Sequence, residues 1–373
     1  MSSAADAGLL REVASAFELP GRWLRSTPFG SGHINTTVLA EFETAHGVAR
    51  FVQQRINGAV FREPARVMEN FARVIAHQRR ALEREGAREL ERRVLTLVPA
   101  RSGAGGYIDS RGDTWRTTPL IAGAHSEDVA RGSADARAAA LAFGRFLAQL
   151  ADLPPPRLHE TIPRFHDARL RFEQLTEAVR RDAAGRLAGC RAEVELALGR
   201  EPIVARLEAL KRDGALPERV AHNDTKLNNV LLDDASGEGL CVIDLDTVMP
   251  GCAITDFGDL ARSAATRAAE DERDLSRVRV ETDLFAALAD GFVRGAGPSL
   301  CAAEHAALPF GALLRIYVDG IRFLADHLRG DTYFRVAREA HNLDRARTHF
   351  ARVADFERRQ DELAALVPVR ATS

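Results

Sequence analysis

Lysine is nearly absent from this chain: among 51 Lys and Arg residues, Lys211 and Lys226 are the only lysines. A role that calls for a second or third cation therefore falls to arginine, whose planar fork differs from a point ammonium. Cysteine is scarce too, with Cys190, Cys241, Cys252 and Cys301 scattered without C-x-x-C pairs or histidine spacing. That excludes a zinc site or a disulfide framework and suits a reducing cytoplasm. No stretch approaches the roughly 18 apolar residues of a membrane span. The N-terminus, MSSAADAGLLREVASAFELP, lacks a basic segment leading into an apolar core, so export is not expected. Net charge is also small, −2 with a pI near 6.6, which gives no field for nucleic acid or an anionic membrane. The arginine clusters between Arg79 and Arg93 read as a solvated helix face, and the expected partner is a small molecule.

What is present is a globular composition, 46% hydrophobic over 373 residues, enough for two domains or one bilobal enzyme. Residues 8–18 read as an amphipathic helix, and FGSGHINTTVLAEFE as strand, Gly-rich turn and strand. VARFVQQRIN supplies another strand, and Pro64 opens a helix through PARVMENFARVIAHQRRALERE. Val94–Pro99 and Asp113–Ile121 add two strands around a glycine-rich turn. Beyond Gly123 the period becomes helical, in ADARAAALAFGRFLAQLAD, ARLRFEQLTEAVRRDAAGR and much of 192–212. An island, VAHNDTKLNNVLLDDASGEGLCVIDLDTVMPG, reads as loop, strand, hairpin turn at Gly237 and a second strand ending at Ile243.

Residues 222–229, HNDTKLNN, carry His222, Asp224, Lys226 and Asn229 at the spacing His-x-Asp-x-Lys-x-x-Asn of a protein-kinase catalytic loop. Phosphoryl transfer depends on positioning and charge neutralisation, so it needs a carboxylate, a cation and a metal-binding amide close together. Asp224 is the expected base, Lys226 the cation for the transferring phosphate, and Asn229 a magnesium ligand. His222 is expected to be a packed strut. Further on, CVIDLDTV ends an apolar run with Asp244 and Asp246, and Asp244 is the second expected magnesium ligand. The triplet at Asp256–Gly258, DFG, follows a turn and opens a helix. Asp256 is therefore expected to accept hydrogen bonds from the catalytic-loop backbone or to cap that helix.

These motifs, with GSGHIN, QRIN before VMEN, IDLDTVMPG, DFGD and RFLADHLRGDTYF in order from Phe29 to Phe334, resemble the aminoglycoside phosphotransferase and choline kinase superfamily. Within it the likeness is greatest to the N-acetylhexosamine 1-kinase group. The resemblance implies an α+β, bilobal protein-kinase-like fold, with a nucleotide-binding lobe over 1–121 and a catalytic and acceptor-binding lobe over 122–373. It implies ATP and Mg2+ as cofactors, and transfer of the γ-phosphate to a sugar hydroxyl, the anomeric one of an N-acetylhexosamine. It also implies that Asp244 holds magnesium and Asp256 buttresses the loop. Other acceptors (another sugar, an aminoglycoside, choline, an amino acid) stay open, as does an inactive nucleotide-binding module.

On the nucleotide side an arginine must replace the usual strand lysine. Arg55 is expected to grip the phosphates, oriented by Glu69 on the next helix. Gly30, Ser31 and Gly32 would let backbone amides approach the phosphates, with His33 and Asn35 as further contacts to phosphate or to the acceptor. Adenine is expected near Thr117–Ile121. On the acceptor side Arg322 and Asp326, four apart on one helix face, are expected to hydrogen-bond the sugar, either as such or simply as a helix pair. His166 belongs to a segment similar to the family's and has no expected role.

Overall fold

The computed structural model describes residues 4–30 and 34–369. Contacts divide the chain into two compact units: Met1–Ala124 with Asp152–Pro163 and Ile243–Met249, and His125–Ala151 with Arg164–Val242 and Pro250–Ser373. The expected division at 121/122 into two continuous halves thus gives way to segments that return to the first unit. The reason is visible on one helix: Asn70 donates to the carbonyls of His159 and Val248, at 2.8 and 3.1 Å, stitching both returning segments to it.

The first unit contains α1 (Ala4–Ala16), β1 (Arg22–Pro28), β2 (Thr36–Thr44), β3 (Gly47–Arg55), α2 (Pro64–Arg84), the single turn α3 (Leu90–Arg93), β4 (Tyr107–Ile108) and β5 (Thr114–Pro119). The strands form one antiparallel sheet in the order β1-β2-β3-β5-β4. Alternation decides the register: Val38, Ala40 and Phe42 face inward from β2, and Phe51 of β3 lies opposite Ala40. With Val13 of α1, Phe17 just beyond that helix and Trp115 of β5 they make this unit's core. Pro64 opens α2, where its missing N–H costs nothing, and Val67, Phe71, Val74 and Ile75 form the buried stripe. The expected strand at Val94–Pro99 does not form. Its link to β5 is a bond from Val98 N to Thr117 O, and Pro99 has no donor with which to extend a ladder.

The second unit is mainly helical. In chain order its elements are β6 (Ala124–His125), α4 (Ser133–Gln149), α5 (Ala168–Arg181), α6 (Arg191–Leu198), α7 (Glu201–Arg212), β7 (Arg219–Ala221), β8 (Val230–Asp233), β9 (Gly239–Val242), β10 (Met249–Gly251), α8 (Ala253–Ala264), α9 (Thr282–Ala296), α10 (Ala302–Arg329), α11 (His341–Arg358) and α12 (Gln360–Ala365). Strands β6, β8 and β9 form one small sheet, and β7 pairs with β10. Gly237 makes the β8–β9 turn in the left-handed region at φ +71°, while Asp233 caps that turn by accepting from Ser236 N at 2.8 Å. Helices α8 and α10 cross at van der Waals distance because both are glycine there. A Cβ on Gly258 would lie 2.2 Å from the carbonyl oxygen of Gly311. That close crossing fixes α8, whose first turn supports the loop at residues 222–229.

Candidate active site

The loop between β7 and β8 carries its chemistry over eight residues, and its shape comes from what holds its backbone. Asn223 sits at φ +63°, a left-handed conformation that asparagine tolerates, and this turns the chain sharply ahead of Asp224. Asp256 on α8 accepts from His222 N and Asn223 N, both at 2.8 Å, and its own carbonyl accepts from the Thr225 hydroxyl. The DFG-like triplet is therefore a buttress, as the helix that follows it suggested. Burial pushes the Asp256 carboxyl up to about 6, against the pull of the His222 ring and the two amides. His222 is fully buried, its ring edge-on to Phe143 and Phe146, and its Nδ1 accepts from Asp224 N at 3.3 Å. It is a strut.

A second histidine clamps the loop. His166 Nε2 lies 2.7 Å from the carbonyl oxygen of Asn223. A carbonyl can only accept, so Nε2 carries the proton. Burial and the nearby Arg315 push this imidazole down to about 3, which keeps it neutral. The role that sequence left blank is thus positioning.

The half-buried Asp224 carboxylate is flanked as the motif predicts. Lys226 Nζ lies 2.9 Å from Oδ1, and Asn229 Nδ2 donates to both the Asp224 carbonyl at 2.8 Å and Oδ2 at 3.1 Å. Burial alone would lower the Lys226 pKa, but the Asp224 charge outweighs it and the net shift is upward, so the ammonium stays charged. Both amide hydrogens of Asn229 point to Asp224, which leaves Oδ1, a hard oxygen, for a cation. Asp244 immediately precedes a short turn after β9 and lies in the left-handed region, φ +57° and ψ +57°. Among the described residues no three His, Cys, Asp or Glu side chains gather as a metal cluster. Taken singly, each expected ligand, an amide oxygen at Asn229 and a carboxylate at Asp244, is the hard oxygen donor that magnesium prefers.

In the first unit the expected pairing of Arg55 with Glu69 is not found. Arg55 instead bonds Asp113 and Thr36, each at 3.0 Å, and Glu69 meets His159 Nε2 at 2.9 Å. Register explains this: Arg55 ends β3 opposite Trp115, and the adjacent β4–β5 turn presents Asp113. The buried arginine of this sheet is Arg116, which sequence reasoning missed. It forms an ion pair with Asp246, accepts no solvent contact of note at 1% exposure, donates to Gln54, and lies 4.4 Å over the Phe71 ring. The signal was the second carboxylate of IDLD, passed over in favour of the first. Asn35, expected to contact phosphate or acceptor, donates to Asp246 and accepts from Asn57 N. Thr117 is fully buried and its hydroxyl accepts from Gln53, which makes it a sheet residue. Gly30 lies at φ +78° with open space where a Cβ would be. Ser31, Gly32 and His33 lie outside the described residues.

Arg322 and Asp326 both lie on α10 but do not pair. Arg322 donates to Asp319 at 2.9 Å and covers the Phe334 ring. Asp326, 2% exposed, accepts the backbone amides of Thr332, Tyr333 and Phe334 and the side chain of Asn342. Its lone pairs are committed to the loop after α10, so the expected sugar contact at Asp326 is withdrawn. Arg322 instead closes a ladder in which Asp259 and Asp319 are shared among Arg262, Arg315 and Arg322, at 2.9 to 3.3 Å. Glu270 adds a longer contact to Arg262 at 3.9 Å.

The sequence profile described as phosphotransferase enzyme family, APH, matches residues 25–297. Among solved structures, the chain is similar to an aminoglycoside phosphotransferase from Alicyclobacillus acidocaldarius, at 14% identity over 95% of this chain and 94% of that one, with a TM-score of 0.56. A choline/ethanolamine kinase family protein from Mesorhizobium loti gives 16% identity, 96% and 98% coverage and 0.53. Spectinomycin phosphotransferase, solved with ADP and spectinomycin, gives 12%, 94% and 98%, and 0.50. At such identities the likeness is one of fold: α+β and protein-kinase-like, with a small antiparallel sheet and a helical C-terminal part.

Proposed function

The chain belongs to the phosphotransferase enzyme family, and from that premise we propose that it is an ATP- and Mg2+-dependent kinase whose acceptor is the anomeric hydroxyl of an N-acetylhexosamine. The observation that carries the kinase reading is the trio at the loop: Asp224 held between Lys226 and Asn229, on a backbone fixed by Asp256 and His166. Asp224 takes the proton of the attacking hydroxyl, and Lys226 balances charge that develops on the transferring phosphoryl group. Asn229 and Asp244 would hold magnesium, which when bound neutralises the nucleotide phosphates. Gly30, Ser31 and Gly32 would offer amides to those phosphates, and Arg55 a guanidinium.

The choice of a neutral acceptor rests on the arginine ladder. Beside Arg322 the carboxylates of Asp259 and Asp319 are already committed to Arg262, Arg315 and Arg322, which leaves none spare for a polycationic aminoglycoside or choline and tolerates sugar hydroxyls. A sugar partner inside the cell fits this reading. Among the described residues no helix is long and apolar enough to cross a membrane.

The test is magnesium-dependent ATP consumption across N-acetylglucosamine, N-acetylgalactosamine, plain hexoses, choline and aminoglycosides. The expected result is a 1-phosphate from an N-acetylhexosamine, abolished by Asp224→Asn. Turnover only with a cationic acceptor would overturn the sugar assignment, and full activity in Asp224→Asn would overturn the base.

A further inference from the structure

An ion pair buried in a sheet is a poor fastening, since desolvation offsets most of the attraction and apolar residues of the same volume often hold as well. Arg116 and Asp246 are nevertheless buried together, each side chain 1% exposed. Their use lies in what they connect.

The pair is the middle of a longer chain of hydrogen bonds, all of it inside the first unit. Gln54 of β3 donates to the Thr37 hydroxyl of β2 at 3.2 Å, and its own carbonyl oxygen accepts from Nε and Nη2 of Arg116 on β5, at 3.0 and 2.8 Å. Arg116 Nη1 donates to Oδ1 of Asp246, while Oδ2 accepts from the Asn35 side chain. Asn35 in turn accepts from Asn57 N at 3.0 Å, and the Asn57 side chain donates to the Ile34 carbonyl at 3.0 Å. Three strands thus converge on one carboxylate.

Both ends of this connection border expected chemistry. Asn35 stands just after the glycine-rich run Gly30–Gly32 and just before β2. Asp246 lies two positions beyond Asp244, in the short turn Leu245–Thr247. The same turn has other anchors: the Asp246 carbonyl accepts from the Thr161 hydroxyl at 2.7 Å, and the Val248 carbonyl from Asn70 at 3.1 Å. Those anchors come from α2 and from the returning segment 152–163. The Asn35 amide is what ties the turn to the glycine-rich run.

We propose that Asp246 is a positioning residue, which through Asn35 locks the glycine-rich run to the turn bearing Asp244, so that nucleotide phosphates and their magnesium meet sites already set at a fixed separation. Arg116 holds the carboxylate by its other oxygen and so fixes the one that faces Asn35. The inference rests on the nucleotide and magnesium roles proposed above.

The test joins hydrogen exchange of the ligand-free chain to calorimetric titration of the full chain by ADP, in magnesium and in EDTA. Asn35→Asp keeps an acceptor for Asn57 N but sets carboxylate against carboxylate. It should speed exchange in both 34–38 and 244–249, and weaken ADP about tenfold in magnesium but far less in EDTA. Asp246→Asn should act in the same direction. Because Asn35 is only half-buried, the test does not depend on that second variant alone. The double variant, Asn35→Asp with Asp246→Asn, again sets an amide opposite a carboxylate and should recover most of the loss in both readouts. If position 35 acts on phosphate directly, the double variant stays as weak as Asn35→Asp and the inference falls. It falls equally if the variants lower the melting temperature yet leave ADP affinity and its magnesium dependence in place. Wild-type chain that binds no ADP would overturn the proposed function as well, whereas wild-type binding matched by every variant would overturn the positioning role alone.

Discussion

The two units bury charge in opposite ways. In the sheet unit one arginine meets one carboxylate: Arg116 and Asp246 are both 1% exposed, and the amides of Asn35 and Gln54 fill the remaining hydrogen-bonding positions. In the helical unit charge is shared among three arginines and two aspartates along α8 and α10, and single atoms stay unpartnered, among them Asp259 Oδ2 and Arg315 Nε. A closed pair can do little except fasten its neighbours, because any change leaves a bare ion. In an open ladder each carboxylate is shared by more than one guanidinium, so removing one arginine still leaves its carboxylate a partner.

The comparison breaks most sharply at the closed pair. Asp246→Ala should strand Arg116 and cost about 3–5 kcal/mol, whereas replacing both partners by apolar residues of similar volume should cost far less; urea denaturation measures both. Gly258→Ala comes next. Its Cβ would strike the Gly311 carbonyl, so about 1–3 kcal/mol should be lost through overpacking, with a fall in turnover because α8 holds the catalytic loop. Asp256→Asn should cost about 1–3 kcal/mol, since one of the two amides it receives would then face an NH2 group. A lower kcat at unchanged nucleotide affinity would separate loop misplacement from lost binding.

Acid should act through His349. Burial and Arg352 push its ring down to about 4, so the folded state keeps it neutral while the unfolded chain takes a proton near 6.5. Its contribution is complete above that value and is lost as pH falls from about 6.5 toward 4, by up to about 1.4 kcal/mol per pH unit. The difference between wild-type and His349→Phe stability curves should show this slope, undisturbed by Asp256, which titrates in both. The smallest effect is expected at the solvent-facing pair Arg22–Glu43, where side chains 73% and 58% exposed leave about 0–1 kcal/mol.

How much of this was legible follows from distance along the chain. Asp224, Lys226 and Asn229 lie within six positions, so their spacing nearly dictates their meeting, and Asp256 was readable because its helix begins beside them. The α+β division was visible in the change from alternating to helical period after Gly123. Arg55 failed because its partner depends on strand register, which sets it beside Asp113 and turns the next residue along β5, Arg116, inward, and Glu69 because a distant segment returns to place His159 beside it. Asp326 failed for a related reason. Helical spacing reports which side chains share a face, yet not that the chain beyond Gly330 folds back and delivers three amides to one carboxylate. His349 and Arg352 were simply part of an amphipathic stripe in sequence, and only packing reveals that each keeps an unsatisfied atom.

That carboxylate has a further consequence. With Thr332, Tyr333 and Phe334 tied to Asp326, the segment next to Arg322 is ordered without any ligand. A molecule that docks against these rings meets a surface whose conformational entropy was already spent in folding, so its association should be quick and its affinity little taxed by rearrangement.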